Sequence, residues 1–510
     1  MKKTIPVIDI FAGPGGLGEG FSSLELPAGK PIFRIKLSIE MDRYAHKTLE
    51  LRAFYRQFKK GEVPVAYYQY LKGEITRDEL FKKHSVECEL AKQEAWLAEL
   101  GKADRKLVRK RIKDALGGAD SWVLIGGPPC QAYSLVGRSR MIGENPGKYE
   151  TDPRHLLYRE YLHILADHRP PVFVMENVKG LLSAKLKHQN TIDLILTDLR
   201  DPSKAIGKKG GKSPSYRLFS VSKPNGRLLG EPEPEDFIVR SEDHGIPQSR
   251  HRIIILGIRS DIFNDNPKLL TRGERVPIED VIDDLPKLRS GLSKEMDGLD
   301  SWQNAIRSIG KAEWMGELEP LLRKAINKAI KEMGTNLTRG CSFMKTNTVP
   351  AKYKEWYVDK NLGGVCNHET RTHLTSDLHR YFFASVYAEV TGKSPTLRDF
   401  PTNLLPNHDN VKDALTSSKF NDRFRVQVSG RPSTTVVSHI SKDGHYYIHY
   451  DPTQCRSLTV REAARLQTFP DNYFFEGNRT QQYHQVGNAV PPLLAYKIAE
   501  IVFNVLKDLK

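Results

Sequence analysis

"TIPVIDIFAGPGGLGEGF", residues 4–21, runs a short β-branched stretch directly into five glycines. The apolar run from Ile5 to Phe11 predicts a buried strand, and the glycine turn predicts entry into a helix with backbone free to close around a ligand. A second strand, Phe33 to Ile39, delivers Glu40 24 residues after Gly16, where a carboxylate can take both hydroxyls of a ribose. The pairing predicts a doubly wound nucleotide-type site. On these residues alone NAD, FAD and S-adenosylmethionine fit equally well.

The same design recurs twice downstream. In "SWVLIGGPPCQAYS" (121–134) the strand Trp122 to Ile125 ends in Gly-Gly-Pro-Pro and then Cys130. In "RPPVFVMENVKGLL" (169–182) the strand Val172 to Met175 emerges into Glu176 and Asn177. Both therefore lie at carboxyl ends of sheet strands, where open α/β sheets bind their ligands. A free thiol with a pKa of about 8.5 is a useful nucleophile at neutral pH only in an ordered, electropositive setting. Two prolines fix the backbone ahead of Cys130 and two glycines admit a flat substrate, so the cysteine reads as an aimed nucleophile, while Glu176 on its own reads as an acid at a helix N-terminus.

Composition narrows the substrate. The chain has 510 residues, 39% of them hydrophobic, enough for a large core split into two domains. Its formal net charge of +16 favours a polyanionic partner such as nucleic acid. Cysteines at 88, 130, 341, 366 and 455 form neither a CxxC pair nor an even framework, which argues against disulfides and for a reducing compartment. Cys341, Cys366, His368 and His373 cluster without a standard zinc spacing, so no metal is expected. Asp9 and Gly13 interrupt the N-terminal apolar stretch before a signal core forms, and no run of about 18 apolar residues predicts a membrane span. Residues 50–120 read as a basic helical hairpin broken near Gly101 and stopped at Gly117 and Gly118, its "RKLVRKRIK" run a solvated face. Residues 201–216, rich in Gly, Lys and Ser, read as a mobile loop.

Taken in order, these segments resemble the cytosine-C5 DNA methyltransferases. "DIFAGPGGLGEGF" (9–21) is similar to the family's S-adenosylmethionine loop and "IEMDRYAHKTL" (39–49) to its ribose-binding segment. "GGPPCQAYS" (126–134) resembles the catalytic Pro-Cys loop, and "DPRHLLY" (152–158) the segment that lays a leucine on the cofactor adenine. "MENVKGLL" (175–182) matches the Glu-Asn-Val segment, and "DHGIPQSRHRIIILGIR" (243–259) the Gln-x-Arg-x-Arg strand. "RSLTVREAARLQTFPDNY" (456–473) resembles the segment closing the recognition domain, and "QVGNAVPPLLAYKIA" (485–499) the C-terminal cofactor-side helix.

The resemblance implies an α/β, Rossmann-like class I S-adenosylmethionine-dependent methyltransferase fold with a mostly parallel sheet, plus a smaller mixed target-recognition domain. It places the catalytic domain at 1–284, with the helical insert at about 50–120, the recognition domain at 285–475, and a segment returning to the catalytic domain at 476–510. "SWQNAIRSIG" and "LEPLLRKAINKAIKEMG" predict helices in the recognition span, and "RFRVQVSGRPSTTVVSHISKDGHYYIHY" reads as strands.

The implied cofactor is S-adenosyl-L-methionine, held by Phe11, Gly13, Gly15, Gly16, Glu40, Met41, Pro129, Leu157, Asn488 and Ala489. Glu74 is the nearest counterpart of the acid that reaches the adenine amino group. In the implied mechanism Cys130 attacks C6 of a flipped-out cytosine, Glu176 is the neutral acid at N3, and Arg252 contacts the carbonyl. Pro129, Asn177, Gln248 and Arg250 complete the substrate contacts, with Arg250 turned toward packing or phosphates. The partner implied is double-stranded DNA, with a cognate restriction endonuclease acting separately on the same site. A monomer in the cytoplasm, associated with a prokaryotic nucleoid, follows from that role. Two alternatives share the fold. A tRNA cytosine methyltransferase has little need of so long a recognition span, and a non-catalytic relative would lack Cys130 or Glu176.

Overall fold

In a computed structural model that describes residues 4–27, 29–129, 153–186, 189–208, 214–224, 232–262, 266–407, 411 and 421–507, the opening stretch forms β1 (Ile5–Ile10), a glycine turn and α1 (Gly16–Ser22). β2 (Phe33–Glu40) follows, then α2 (Arg43–Tyr55), α3 (Val65–Leu71), α4 (Arg77–Lys83), α5 (Ser85–Glu94), β3 (Ala95–Leu97) and α6 (Arg105–Leu116). The Pro-Pro loop leaves β4 (Val123–Gly126); α7 (Pro153–His168), β5 (Val172–Val178) and α8 (Thr191–Arg200) come next. β6 (Tyr216–Ser220), β7 (Ile238–Arg240) and β8 (His251–Arg259) complete the sheet.

The described strands run in the order β6–β8–β5–β4–β1–β2–β3, with β7 also paired to β8. β1 to β5 are parallel neighbours, while β8 is antiparallel to β5, β6 and β7. Strand order reverses at β1, between β2 on one side and β4 on the other, which is the switch point where doubly wound sheets open a crevice. Residues alternate between two apolar layers. Ile5, Val7, Ile35 and Val123 face α1 and a C-terminal helix, while Ile8, Ile10, Leu37 and Leu124 face α6, α7 and α8.

β3 corrects the expected hairpin. "AWL" sits between two helices, yet it pairs with Ser38, Ile39 and Glu40 and extends the sheet. Only α3 to α5 depart from the strand and helix rhythm, and α6 ends at Gly117, whose φ of 55° supplies the left-handed cap. The 201–216 stretch begins with a short helix, Pro202–Ala205; residues 209–213 lie outside the described set.

Beyond β8 a separate core gathers around α9 (Leu299–Arg307), α10 (Pro320–Lys331) and α11 (Thr375–Thr391), with Trp302, Ile306, Tyr381 and Phe383 buried in it. β9 (Gly340–Lys345) and β10 (Gly364–Glu369) form a hairpin beside it. The two helices expected there are present; the expected strands at 423–450 are not, since among the described residues this stretch pairs only at Ser433–Thr434 and in isolated bridges. Alternating apolar residues there find no neighbouring strand and pack as irregular chain.

A third cluster, joining Val276–Leu285 to α12 (Val460–Leu466) and α13 (Arg479–Asn488), seals the seam between the two cores. α14 (Pro492–Lys507) then returns to pack on α1. The 479–507 helical stretch is long and apolar enough to cross a membrane by length and composition alone, and 72% of its most apolar window is buried in the protein. Its apolarity is that of an inner-layer helix.

Candidate active site

Strand register aligns the site. Ile10 is level with both Ile39 and Gly126, Glu40 with Leu97, and Gly126 with Met175, so the glycine turn, Glu40, the Pro-Pro loop and Glu176 leave the sheet along one edge.

One side of this edge is built on close backbone approach. Phe11 has a φ of 54°, Gly13 of 57° and Gly15 of 95°, left-handed conformations that turn the chain at once after β1. A side chain on Gly16 would strike the carbonyl of Val490, since a Cβ there would lie 2.1 Å from that oxygen. The turn thus sits directly on the loop between α13 and α14. Across it, the Glu40 carboxylate accepts N–H bonds from Gly13 at 2.8 Å, Met41 at 2.8 Å and Asp42 at 2.7 Å. Burial pushes its pKa up, and the three N–H donors oppose that shift. One lone-pair position on Oε2 stays open beyond the Gly13 bond, suited to a hydroxyl donor. Met41 and Leu97 flank Glu40 with half-exposed apolar side chains, a surface for a flat ring.

On the other side, Gly126 passes so close to β1 that a Cβ would lie 2.2 Å from the carbonyl of Ile10. Gly127 abuts Glu176, where a Cβ would be 2.8 Å from both its carbonyl and Oε2. Glu176 is ion-paired with Arg252, Nε to Oε1, at 2.9 Å. Arg252 lies two residues before Ile254, the β8 partner of Glu176, and so reaches it diagonally on the same face. Its Nη1 also donates to the carbonyl of His251 at 2.9 Å, and burial lowers its pKa. Asn177 donates to the carbonyl of Pro128 at 3.2 Å and accepts from the N–H of Val178 at 2.8 Å. It pins the loop that presents Pro129, a half-buried residue. Cys130 lies outside the described residues.

Other expected residues sit elsewhere. Gln248 is fully buried, accepting from Val436 N and donating to the Leu466 carbonyl and Gln467, and Arg250 is 1% exposed with donors on the Val436 and Gly487 carbonyls. Both side chains are thus committed to contacts within the protein. Glu74 is exposed in the turn between α3 and α4, its N–H on the Gln69 carbonyl. The strand end beside Glu40 is supplied by β3, so Leu97, Ala98 and Glu99 occupy the place sought for Glu74. Leu157 packs on the α7-side core, Asn488 is exposed at the end of α13, and Ala489 is buried with its carbonyl on Gln467.

Two contributors carry little signal in sequence. Asp9, inside β1, is 1% exposed with neither carboxylate oxygen hydrogen-bonded among the described residues, and burial pushes its pKa up to about 8 against the pull of Arg56. Only a charged residue inside an apolar strand marks it. Gln467 links α12 to the Val486 and Ala489 carbonyls through a contact visible only once the fold is known. His368 is buried between Thr459 and the Pro286 carbonyl, Cys366 is buried near the Leu71 carbonyl, and among the described residues no group of three or more ligands could hold a metal.

Comparison with known proteins agrees with this geometry. The family model for C-5 cytosine-specific DNA methylase matches residues 90–202 and 235–504. The type II methyltransferase M.Bpa9945I of Bacillus paralicheniformis is 31% identical over 98% of this chain and 99% of its own length. The type II methyltransferase M.AgeI of Thalassovita gelatinovora is 26% identical over 97% and 98%. A crystal structure described as a DNA modification methyltransferase encoded within an E. coli prophage superposes with a TM-score of 0.50 at 17% identity, covering 99% of this chain and 100% of that one, a likeness of fold.

Proposed function

Because the chain belongs to the C-5 cytosine-specific DNA methylase family and is a DNA (cytosine-5-)-methyltransferase, we propose that it uses S-adenosylmethionine and a covalent Cys130 adduct to methylate a flipped-out cytosine in a specific duplex site. The observation that carries this reading is the Glu176–Arg252 pair set against Gly127, on the same sheet edge as Glu40 and the glycine turn.

The residues present fit the donor. Among the described residues Glu40 Oε2 keeps a lone pair that would take a ribose hydroxyl, Met41 and Leu97 would flank an adenine, and the glycine turn would leave backbone room for the methionine end, since nothing lies within 4 Å of a Cβ on Gly13. Bound there, S-adenosylmethionine supplies the methyl group. The protein's own residues do the rest. The Cys130 thiolate forms a bond to C6, and the displaced ring electrons are drawn toward N3, where Glu176 delivers its proton. Arg252 holds the Glu176 carboxyl and faces the ring carbonyl. Once the supplied methyl group is on C5, loss of the C5 proton to solvent and return of the N3 proton to Glu176 would let the Cys130 thiolate leave by β-elimination. A stacked base is shielded on both faces, so the cytosine must leave the duplex.

We place the target-reading lobe at residues 292–455, the extent of the second core, rather than 285–475, because Val276–Leu285 and α12 share the seam. The basic balance of +16 suits the phosphates of DNA held between the cores. The homologues' restriction-modification names support a paired endonuclease that cuts the unmethylated site. Duplex DNA carrying 5-fluorocytosine tests the chemistry. Wild type is expected to form a denaturation-resistant adduct and Cys130→Ala none; an adduct in the variant, or none in wild type at a site shown to be methylated, overturns the assignment.

A further inference from the structure

Arg250 poses a problem of cost. It is a guanidinium 1% exposed, with no carboxylate in salt-bridge range among the described residues and its Nε without a hydrogen-bond partner. A buried cation without a counter-ion is retained only where its geometry supplies something an apolar residue cannot. What it supplies here is a planar fork across two segments far apart in sequence. Nη1 donates to Val436 at 2.6 Å, on the stretch leading into the turn Ser438–Ser441, and Nη2 to Gly487 at 3.2 Å, at the end of α13.

A second bridge runs beside it. Gln248 accepts from Val436 N at 2.8 Å and donates to Gln467 at 3.1 Å; Gln467 donates to the Val486 carbonyl at 2.7 Å and the Ala489 carbonyl at 3.2 Å. The next residue, Val490, is the one whose carbonyl touches Gly16 of the glycine turn. The Ser438–Ser441 turn itself is pressed onto α13, since a Cβ on Gly487 would meet Ser438 N at 2.4 Å. Gln248 and Ser249 pair in parallel with Ser433 and Thr434, and two residues beyond Arg250 stands Arg252 on Glu176. A displacement of Val436 therefore pulls on the glycine turn through buried, fully committed amides, with no exposed link to absorb it.

We propose that Arg250 and Gln248 are positioning residues that couple DNA at the recognition span to the cofactor turn, so that target DNA tightens S-adenosylmethionine binding and the cofactor tightens DNA binding by the same factor. The coupling rests on the cofactor reading given above. By linkage the factor is reciprocal, and couplings of this kind span about 5- to 150-fold.

Calorimetry of S-adenosylmethionine on the full-length protein, alone and with a duplex carrying the site that bisulfite sequencing finds methylated, reads it directly. Wild type is expected to bind about tenfold more tightly with the duplex. Arg250→Lys keeps the charge but cannot hold both carbonyls, and is expected to bind the cofactor within about twofold of wild type without DNA while its gain with DNA falls below about twofold. Gln467→Leu cuts the second bridge without touching the guanidinium, and should lose most of the gain as well if Arg250→Lys proves unstable. Full gain in the folded variants, or an equal loss of affinity with and without DNA, overturns the coupling, as does a wild type that binds the cofactor with no gain. A wild type that binds no S-adenosylmethionine under either condition would instead overturn the cofactor reading.

Discussion

Arg252–Glu176 and Arg456–Glu462 bring the same two residue types to similar range, 2.9 and 2.6 Å, in opposite settings. The first is a single contact at a strand end, with side chains 11% and 16% exposed and Oε2 of Glu176 turned toward Gly127. The second is closed. Arg456 grips both carboxylate oxygens of Glu462, which also accepts the N–H of Thr459, and both side chains are 1% exposed. Arg465 repeats this on Asp471, with bonds of 2.8 and 2.9 Å. A carboxylate with a free edge can exchange a proton with a substrate, whereas one with every position taken can only hold parts together.

Acidification should separate the two settings most strongly. Around the seam, burial lowers the imidazoles of His368 to about 4, His449 to about 4 and His373 to about 3, from 6.5 when free. Each is neutral when folded but charges readily when unfolded, so its stability is full above pH 6.5 and is lost as pH falls toward those values. At about 1.4 kcal/mol per unit, each puts about 3 to 5 kcal/mol at risk. Glu462, held below the usual carboxylate range by Arg456 against the opposing effect of burial, gives up its share only at still lower pH. Thermal melts from pH 7.5 to 4 should show Tm falling from about 6.5 downward, and a flat Tm to pH 5 would break the picture of sealed neutral imidazoles.

Glu462→Ala leaves Arg456 buried and unpaired, and is expected to cost about 3–5 kcal/mol in urea unfolding. A loss under about 1 kcal/mol would mean water reaches the seam. Glu176→Gln should do the reverse, slowing methyl transfer by about a hundredfold or more with Tm within about 2 °C of wild type. If it unfolds the protein instead, the strand-end pair is a strut after all. Glu40→Ala should weaken S-adenosylmethionine binding by about 1.5–3 kcal/mol in calorimetry, the worth of hydrogen bonds to a charged acceptor, and the smallest of the four effects on the protein as a whole.

The strands that carry the site were legible because each is an apolar or alternating run followed closely by glycine, proline or an acid: Ile5–Ile10, Phe33–Glu40, Val123–Gly126 and Val172–Val178. β3 was not, because three residues between helix-forming stretches carry no period and are fixed only by pairing with β2. The strand end level with Glu40 is therefore Leu97, which no sequence signal singled out. Gln248, Arg250 and Arg252 alternate along one stretch and look equally available in sequence. Which of them is sealed is decided by Val436, Gln467 and Gly487, some 180 to 240 residues away. The helical insert offered charge and helix propensity but no destination. Its Tyr68 hydroxyl bonds Asp359 at 2.9 Å and its apolar side packs on Leu362 and Cys366, so it braces the sheet against the second lobe.

The contact between Gly16 and the Val490 carbonyl sets an order on the protein's birth. About 470 residues separate the two positions, and at roughly 5–20 residues per second a ribosome takes about half a minute to a minute and a half to add them. For that interval the nascent glycine turn lacks the carbonyl it rests on, while the second core, whose buried residues end at Cys455, is already synthesised. The second core can therefore form while the glycine turn still lacks its support, so the two halves of the fold mature in sequence rather than together.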